Sequence, residues 1–276
     1  MTWHASLSLN YTLEAERTVA RFIHNGPLRI LQSLYPEGDG VCHNVLVHPP
    51  GGLVGGDTLD IRSVVGANAH ALVTTPGATR FYRSQGDRAV QRTALRLEAG
   101  ARLEWLPLET IVYSGAQAEN FLSFDLAPGS EMMTWDITAL GLPHADQPFV
   151  CGSFCQHLEM PGVWVERGVL NADDTRLLTS PMGMAGQRCM ASIIFATGDA
   201  IERGRRDGAL ESARQVIQDH PLRETAGVTS PNSQVLVLRV LAPQVEPVMD
   251  LLKKVRAVWR QTLWDQSATS PRIWAM

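Results

Sequence analysis

The sequence lacks several features that would place it in a common functional class. No run approaches the ~18 consecutive apolar residues of a membrane-spanning helix. The first residues contain no basic segment followed by an apolar one, which argues against secretion. Basic residues form no dense run, because even Arg203, Arg205 and Arg206 are interrupted. We therefore expect a cytoplasmic protein that binds neither membranes nor nucleic acid.

Sequence motifs of common enzymes are also absent. The chain has no G-x-x-x-x-G-K-[ST] phosphate loop, no G-x-S-x-G nucleophile turn and no H-E-x-x-H zinc motif. Cysteine is scarce, and of the four cysteines only Cys151 and Cys155 lie close together, with His157 nearby. They could be soft metal ligands or half-buried strand thiols. A structural zinc site would need a second pair of ligands that the sequence does not provide.

What the chain does contain is a repeated pattern of an alternating strand, a tight glycine turn and a second alternating strand. It occurs in Thr58–Thr75 around Gly66-Ala67, in Thr93–Glu109 around Gly100-Ala101 and in Phe121–Thr138 around Gly129-Ser130. The turns lie 34 and then 29 residues apart. Recurrence at ~20–50 residues is typical of stacked coils that bury their apolar faces against one another. The sequence therefore predicts a mainly β fold with an elongated β-solenoid body, which is more often a platform or a conduit than a catalyst.

The pattern changes after residue 200. Ala209–His220 has the spacing of a short helix, and Gln234–Leu241 is a continuous apolar run typical of a buried strand. Glu246–Trp264 carries one apolar stripe at i, i+3, i+4 spacing, and Arg256 and Arg260 lie outside that stripe. This region is therefore predicted to be mixed, with small helical elements.

The whole chain is interpreted as one domain, residues 1–276. Its strand-rich body covers residues 1–200, and a mixed helical cap with one or more strands covers residues 201–276. With 45% apolar and 19% charged residues, the chain has the composition of a globular protein. Solenoid ends expose unpaired strand edges, so we expect either the C-terminal helices or a partner to cover an end.

Two irregular segments stand out from the strands. His48–Asp57 (HPPGGLVGGD) has too many prolines and glycines for a helix and predicts a loop of fixed shape. Thr74–Ser84 combines hydroxyls, a Pro-Gly turn, two arginines and two aromatic residues. Arginine and tyrosine dominate protein–protein hot spots. Arg80, Tyr82 and Arg83 are therefore candidates for partner binding, with an ordinary loop in which Arg stacks on Tyr as an equal alternative.

Several isolated carboxylates lie in or beside the predicted strands. Glu109 lies in the apolar stretch Leu106–Val112, where a buried and unpaired carboxylate would be unfavourable. We therefore expect Glu109 to pair with an arginine rather than to bind a metal. A solenoid could also present paired carboxylates on successive coils, as in polysaccharide hydrolases and lyases. Solvated carboxylates on strand faces are the alternative. The residues considered for this role are Asp57, Asp60, Asp125 and Asp136.

Several segments together resemble the family of the urease accessory protein UreD, called UreH in some species. The resemblance extends from near residue 20 to the end of the chain. It implies an atypical strand-rich fold with a small helical element and no catalytic turnover of its own. The matching segments are His48–Asp57 (HPPGGLVGGD), Leu72–Ser84 (LVTTPGATRFYRS), Glu104–Ala116 (EWLPLETIVYSGA), Ser180–Gly186 (SPMGMAG) and Leu238–Trp274.

The resemblance further implies a role in nickel insertion. Proteins of this family bind the urease apoprotein and the helical partner UreF, and through UreF they join the GTPase UreG. They are thought to pass nickel through an internal channel, so nickel would be bound transiently and no cofactor tightly. Trp259, on the predicted C-terminal helix, is a further candidate for partner binding. The spaced carboxylates and hydroxyls that could line a nickel path are Asp57, Thr75, Ser84, Glu109 and Asp136.

Two alternatives to a nickel-passing scaffold stay open from the sequence. One is a β-solenoid polysaccharide hydrolase or lyase. The other is a purely structural adaptor between UreF and urease, with nickel travelling by another route.

Overall fold

The predicted strand–turn–strand repeats are successive coils of a β-solenoid in the computed structural model, which describes residues 2–142, 145 and 147–275. Each glycine turn joins a strand of one sheet to a strand of a second sheet. The mainly β solenoid predicted from the sequence is confirmed, with about four coils. The joined pairs are β5 (Thr58–Val65) with β6 (His70–Thr74), β8 (Ala89–Leu97) with β9 (Arg102–Leu106), and β11 (Gln117–Leu126) with β12 (Glu131–Leu142).

Within the residues that the structure describes, sheet 1 has seven strands, and its five central strands run parallel to one another. The two edge strands pair antiparallel with their neighbours. In spatial order the sheet contains β15 (Trp164–Asn171), β14 (Ser153–Met160), β11, β8, β5, β1 (His4–Glu14) and β2 (Arg17–Asn25).

Sheet 2 has eleven strands in the described part of the chain. Its main path in spatial order is β17 (Ala226–Asn232), β18 (Val235–Ala242), β16 (Cys189–Thr197), β12, β9, β6, β4 (Val41–Val47) and β3 (Arg29–Ile30). Three short strands branch from that path: β7 (Thr79–Phe81), β10 (Thr110–Val112) and β13 (Gln147–Pro148). Because β7, β10 and residues 138–140 of β12 pair in parallel, they form a narrow third side of the solenoid.

The glycine turns stack on one another along one edge of the solenoid. Gly100 and Gly129 have φ angles of 68° and 75°, in the left-handed region that favours glycine. A Cβ atom on Gly100 would lie 2.2 Å from Asn68 Oδ1 in the turn of the preceding coil. Glycine is therefore favoured at both positions by the backbone conformation, and at Gly100 also by the close approach of the preceding turn.

The first apolar layer lies between the two sheets. In β14, Phe154, Leu158 and Met160 are buried while Cys155 and His157 alternate with them and are only half-buried. The same alternation in β5 and β11 gives sheet 1 one inward apolar face and one outward polar face. The outward face of sheet 1 is therefore a partly polar surface.

The second apolar layer lies between sheet 2 and the helices. Helix α2 (Arg203–Gln218) packs against α3 (Val245–Trp264), and both contact sheet 2, while the short α1 (Thr175–Thr179) lies before β16. The side chain of Glu202 caps the first turn of α2 by accepting from the amides of Gly204 and Arg205, so this helix starts earlier than its apolar spacing predicted. The helices cover the outer side of sheet 2 rather than an end of the solenoid.

A buried ion network fixes α3 to the strands beneath it. Glu104, on β9, is fully buried and accepts a hydrogen bond from Arg256 Nε at 2.6 Å and another from Arg260. Arg260 also pairs with Glu37, and His43 Nε2 lies 2.8 Å from Glu37 Oε1. Both arginines are buried, although the sequence pattern placed them outside the apolar stripe. Buried charges are tolerated only when paired and hydrogen-bonded.

Candidate functional site

Three cavities lie in series between the two sheets. The loop-side cavity, of about 140 Å³, is lined by His48, Gly51 and Thr75–Arg80 among others. The central cavity, of about 30 Å³, shares Thr79 and Gln91 with it. The edge-side cavity, of about 560 Å³, shares Asp136 with the central cavity. The shared lining residues show that neighbouring cavities adjoin one another, and the edge-side cavity opens to solvent beside exposed Glu224 and Gly227.

Asp136 stands where the central and edge-side cavities meet. It projects from β12 in sheet 2 toward sheet 1, where Asn120 Nδ2 donates to its Oδ2 at 3.2 Å and Gln156 Nε2 donates to its Oδ1. Thr138 Oγ1 donates to Oδ1 at 3.1 Å, and Gln91 Nε2 reaches Asn120 Oδ1 at 3.3 Å. The carboxyl is thus held by amides and a hydroxyl from both sheets, and no ion pair to it is formed within the described residues.

The surroundings of Asp136 change its protonation. Burial raises its pKa from 3.8 to about 6, although the hydrogen bonds from Thr138 and Gln156 oppose this shift, and the charge of Glu166 adds to it. The carboxyl is therefore half-protonated near pH 6. An interior carboxylate without a fixed counter-charge is chemically available to an arriving cation.

Three of the other residues proposed for a nickel path make local hydrogen bonds. Buried Asp57 accepts from the amides of Val54 at 2.9 Å and Trp3 at 3.2 Å, and so fixes the HPPGGLVGGD loop. Thr75 lines the loop-side cavity, and its hydroxyl accepts from the amide of Leu108 at 2.8 Å. Ser84 closes a local turn by donating to the carbonyl of Asp87. Of the five proposed residues, only Thr75 and Asp136 are among those lining the three interior cavities.

Glu109 lies outside the interior, in a groove of about 630 Å³ on the third side of the solenoid, lined also by Ile111 and Trp274. It is half-buried, and none of the ion pairs among the described residues includes it. The arginine pairing that we expected for this position belongs instead to Glu104, five residues earlier on β9. Sequence reasoning missed Glu104 because sheet 2 is covered on both faces, so its strands lose the alternation that marks an inward polar residue.

The residues proposed for partner binding differ in how much they are exposed. Arg80 is half-buried beside the loop-side cavity, and the ring of Tyr82 lies 4.9 Å from that of Tyr113. Arg83 is exposed. Trp259 is fully buried next to α2, where its Nε1 donates to the carbonyl of Ala209 at 3.0 Å. In this conformation Trp259 contributes packing and offers no surface to a partner.

The cysteines and the remaining carboxylates are dispersed. All four thiols are free, and His157 bonds to Glu159 at 2.8 Å. Across residues 2–142, 145 and 147–275 there is no group of three or more His, Cys, Asp or Glu side chains placed to hold a metal ion. Asp60 and Asp125 lie on the outward positions of sheet 1, whereas Asp136 faces the interior. Among the helices described, none is both long and apolar enough to cross a membrane.

A β-solenoid with adjoining cavities between its sheets, and with helices packed along one side, is the architecture of a scaffold type of protein. The chain matches the family described as UreD urease accessory protein over residues 4–275. It is 73% identical to the urease accessory protein UreD of Albidiferax ferrireducens and 65% identical to that of Polaromonas naphthalenivorans, each over 100% of both chains. Identity to the UreD of Leptothrix cholodnii is 54%, over 99% of each chain.

The chain therefore belongs to the UreD family of urease accessory proteins. Proteins of this family are non-enzymatic chaperones that take part in urease maturation. The resemblance drawn from the sequence is confirmed, and the alternative of a polysaccharide hydrolase or lyase is wrong.

Proposed function

We propose that this protein is a cytoplasmic scaffold for nickel insertion into the urease apoprotein, acting with UreF and the GTPase UreG. In this proposal nickel is cargo, bound transiently while it crosses the interior of the solenoid, and no cofactor is held tightly. The observation that carries the proposal is Asp136, a carboxylate that forms no ion pair with any described residue and that lies at the junction of two adjoining cavities.

The chemistry around Asp136 suits a cation that must move on. Oxygen ligands bind Ni²⁺ more weakly than clustered histidines or cysteines would, and a conduit needs sites that an ion can leave. Besides Asp136, the interior offers the hydroxyls of Thr75 and Thr79 and the amide of Gln91. These groups are spread over three adjoining cavities, so no single position gathers enough ligands to trap the ion.

The central cavity is the narrow part of the proposed path. A water molecule needs roughly 10–15 Å³ of such space, so the cavity of about 30 Å³ has room for only a few waters. A hydrated nickel ion would have to exchange waters for side-chain oxygens there, or the cavity would have to widen. Asp136 at its boundary supplies the negative charge that makes such an exchange favourable.

We further propose that the segment beside the loop-side cavity faces a partner. Arg80 borders that cavity, and Tyr82 and exposed Arg83 follow it directly in the chain. A partner bound there would shield the opening from solvent while an ion is transferred. Whether that partner is UreF or urease would be tested by substituting Arg83 and measuring each interaction separately.

The direct test measures the nickel content and activity of urease matured with UreF, UreG and this chain. Asp136→Asn should leave the accessory complex intact and lower nickel occupancy on the order of tenfold, since removal of a single ligating or supporting group has effects of that size. Asp125→Asn, on the exposed outer face of sheet 1, is the matched control.

The same experiment separates a conduit from an adaptor. If the protein is a conduit, Asp136→Asn should keep its complexes with the partners and lose urease activation. If the protein is a pure adaptor, the variant should keep both the complexes and the activation. Unchanged nickel occupancy with Asp136→Asn would therefore exclude the interior path through this residue and favour the adaptor.

A further inference from the structure

The C-terminal residues pack against the helix-facing side of sheet 2, behind the wall of the interior cavities. Trp274 lies in the short 3₁₀ turn Arg272–Ala275, and its Nε1 donates to the hydroxyl of Thr74 at 2.8 Å. Its ring lies 5.0 Å from the ring of buried Trp135, with 37° between the ring planes. Trp274 therefore joins the end of the chain to two strands of sheet 2, β6 and β12.

Each of these two contacts lies one residue away from a group that lines an interior cavity. Thr74 precedes Thr75, which lines the loop-side cavity and accepts from the amide of Leu108 at 2.8 Å. Trp135 precedes Asp136, which lines the central cavity. Adjacent residues share one backbone and point to opposite faces of a sheet. A shift of either contact residue would therefore also move its neighbour on the interior side.

Trp135 further links Trp274 to the segment between β9 and β10. Trp135 Nε1 donates to the carbonyl of Pro107 at 2.6 Å, and Pro107 and Leu108 both line the central cavity. Leu108 also lines the groove on the third side of the solenoid, to which Trp274 contributes. Leu108 thus separates this groove from the interior, and Trp274 lies on the groove side of the wall.

Helix α3 fixes Trp274 from the other side. Lys253 Nζ and the Arg256 guanidinium lie 5.4 Å and 5.3 Å from the centre of the Trp274 ring, within the range of cation–π contacts. Arg256 is itself held by Glu104 and donates to the carbonyl of Thr269 at 3.1 Å. The indole is therefore placed between a fixed helix and the wall of the cavities.

We propose that Trp274 is a positioning residue for the interior path, which keeps the central cavity at its width by holding Thr74 and Trp135 from the helix side. This cavity, of about 30 Å³, has room for only a few waters, so a small displacement of its wall changes much of its volume. The support of the wall rests on the contacts alone. Its importance for nickel transfer rests on the proposed function.

The two contacts of Trp274 can be removed one at a time. Thr74→Val removes the acceptor of the indole N–H and keeps the ring contact, whereas Thr74→Ser keeps the acceptor. Trp274→Phe removes the N–H and keeps an aromatic ring, and Trp274→Ala removes both contacts. The four variants therefore separate the hydrogen bond from the packing of the ring.

The test measures access to the central cavity by thiol labelling. Thr93→Cys places a thiol on the sheet 1 side of this cavity, where Thr93 is 3% exposed. The background is Cys151→Ser with Cys155→Ser, because Cys151 is exposed and Cys155 half-buried. The full chain, in complex with the accessory partners expressed with it, is treated with methyl methanethiolsulfonate, and modification is followed by mass spectrometry. Slow labelling is expected, and a rate equal to that of an exposed thiol would overturn the proposal.

The variants then test Trp274 itself. Thr74→Val and Trp274→Phe should each raise the labelling rate about 2- to 10-fold, the range of one hydrogen bond or one aromatic contact. Trp274→Ala should raise it further, and Thr74→Ser should label at the parent rate. Ile217→Val on α2 is the control, because it removes a comparable amount of stability and should leave the rate unchanged.

Two outcomes would overturn the positioning role. One is unchanged labelling in Trp274→Ala, and the other is equal labelling in Thr74→Val and Thr74→Ser. The Thr74 pair decides the question if Trp274→Ala does not fold, because both of its substitutions are small. Faster labelling in Ile217→Val would show that any loss of stability opens the cavity, which would also refute a specific role of Trp274.

Nickel occupancy of urease, matured with the same variants, separates the support of the wall from its use. Trp274→Ala should keep the accessory complex and lower occupancy, by less than Asp136→Asn does, since the interior groups are displaced rather than removed. Faster labelling with unchanged occupancy would keep the support and refute its importance for nickel transfer. Normal occupancy in Asp136→Asn would refute the interior path and leave the labelling result standing.

Discussion

Fully buried Glu104 and half-buried Asp136 are carboxylates on neighbouring strands of the same sheet, β9 and β12, and they face opposite layers. Glu104 faces α3, where Arg256, His70 and Arg260 outweigh the effect of burial and hold its pKa at about 2. Asp136 faces the solenoid interior, where burial dominates and its pKa rises to about 6. One layer supplies fixed positive charges and the other supplies only amides and a hydroxyl.

This difference separates a structural carboxylate from an available one. The charge of Glu104 is already compensated, so this residue joins the helical layer to the strands and has nothing left to bind. Asp136 is stabilised mainly in its neutral form, and a cation entering the cavity would relieve the unfavourable ionisation. In the proposed function, the helical layer serves stability and the interior layer serves transfer.

The largest effect is expected where the compensated charge is removed. Glu104→Gln would leave buried Arg256 without a carboxylate partner and Arg260 with Glu37 alone, and breaking a buried pair in this way costs about 3–5 kcal/mol. The free energy of unfolding, from denaturant titration of the complex-free chain or its soluble complex, measures this loss. Glu211→Gln, on the exposed face of α2, is the control and should be close to neutral.

The same site predicts a dependence on acid pH. The pKa of Glu104 in the folded state, about 2, lies below its ordinary value of 4.5. Its stabilising contribution is therefore complete above pH 4.5 and is lost as the pH falls toward 2. The difference in unfolding free energy between the wild type and Glu104→Gln should shrink over that interval, and a constant difference would contradict the assignment.

Asp136 should behave in the opposite way. Its folded-state pKa of about 6 lies above the ordinary 3.8, so ionisation destabilises the fold as the pH rises through this window, by at most about 3 kcal/mol. Asp136→Asn should therefore be more stable than the wild type at pH 7.5, by about 1–2 kcal/mol, with little difference at pH 4. Thermal unfolding at the two pH values measures this, and equal stability at both would show that Asp136 is not strained by its site.

A gain in stability together with a loss of nickel transfer in Asp136→Asn would support the distinction between Asp136 as an available carboxylate and Glu104 as a structural one. Functional groups are often kept in unfavourable environments, and removing them commonly stabilises a protein while it loses activity. The corresponding change at Glu104 should lower stability, and any loss of transfer should follow the loss of folded protein.

The solenoid could be predicted from the sequence because its signals are local. The glycine turns at Gly66, Gly100 and Gly129 recur at the coil period, and the strands of sheet 1 alternate cleanly since only one of their faces is buried. The position of the helices could not be predicted. An apolar stripe shows that α3 is covered on one side, and it does not say whether a sheet face or a solenoid end covers it.

The candidate site was predicted only in part for a related reason. Asp136 could be chosen as a spaced carboxylate, but alternation did not say which face of β12 is interior, because both faces of sheet 2 are buried. Glu104, Arg256 and Arg260 were missed because their pairing joins residues more than 150 positions apart. Long-range contacts of this kind leave no local pattern in the sequence.

The smallest effect is expected from a single hydrogen bond to Asp136. Thr138→Val keeps the shape of the buried side chain but removes the hydroxyl that donates to Asp136 Oδ1 at 3.1 Å. That bond favours the ionised form, so its loss should raise the pKa of Asp136 further and cost about 1 kcal/mol at neutral pH. Infrared titration of the protonated Asp136 carboxyl would follow the shift. Thr93→Val, which removes a hydroxyl from the wall of the central cavity that Asp136 also lines, is the control. If the midpoint in Thr138→Val matched that of the control, the Thr138 hydroxyl would not contribute to the protonation of Asp136 and would serve only to orient it.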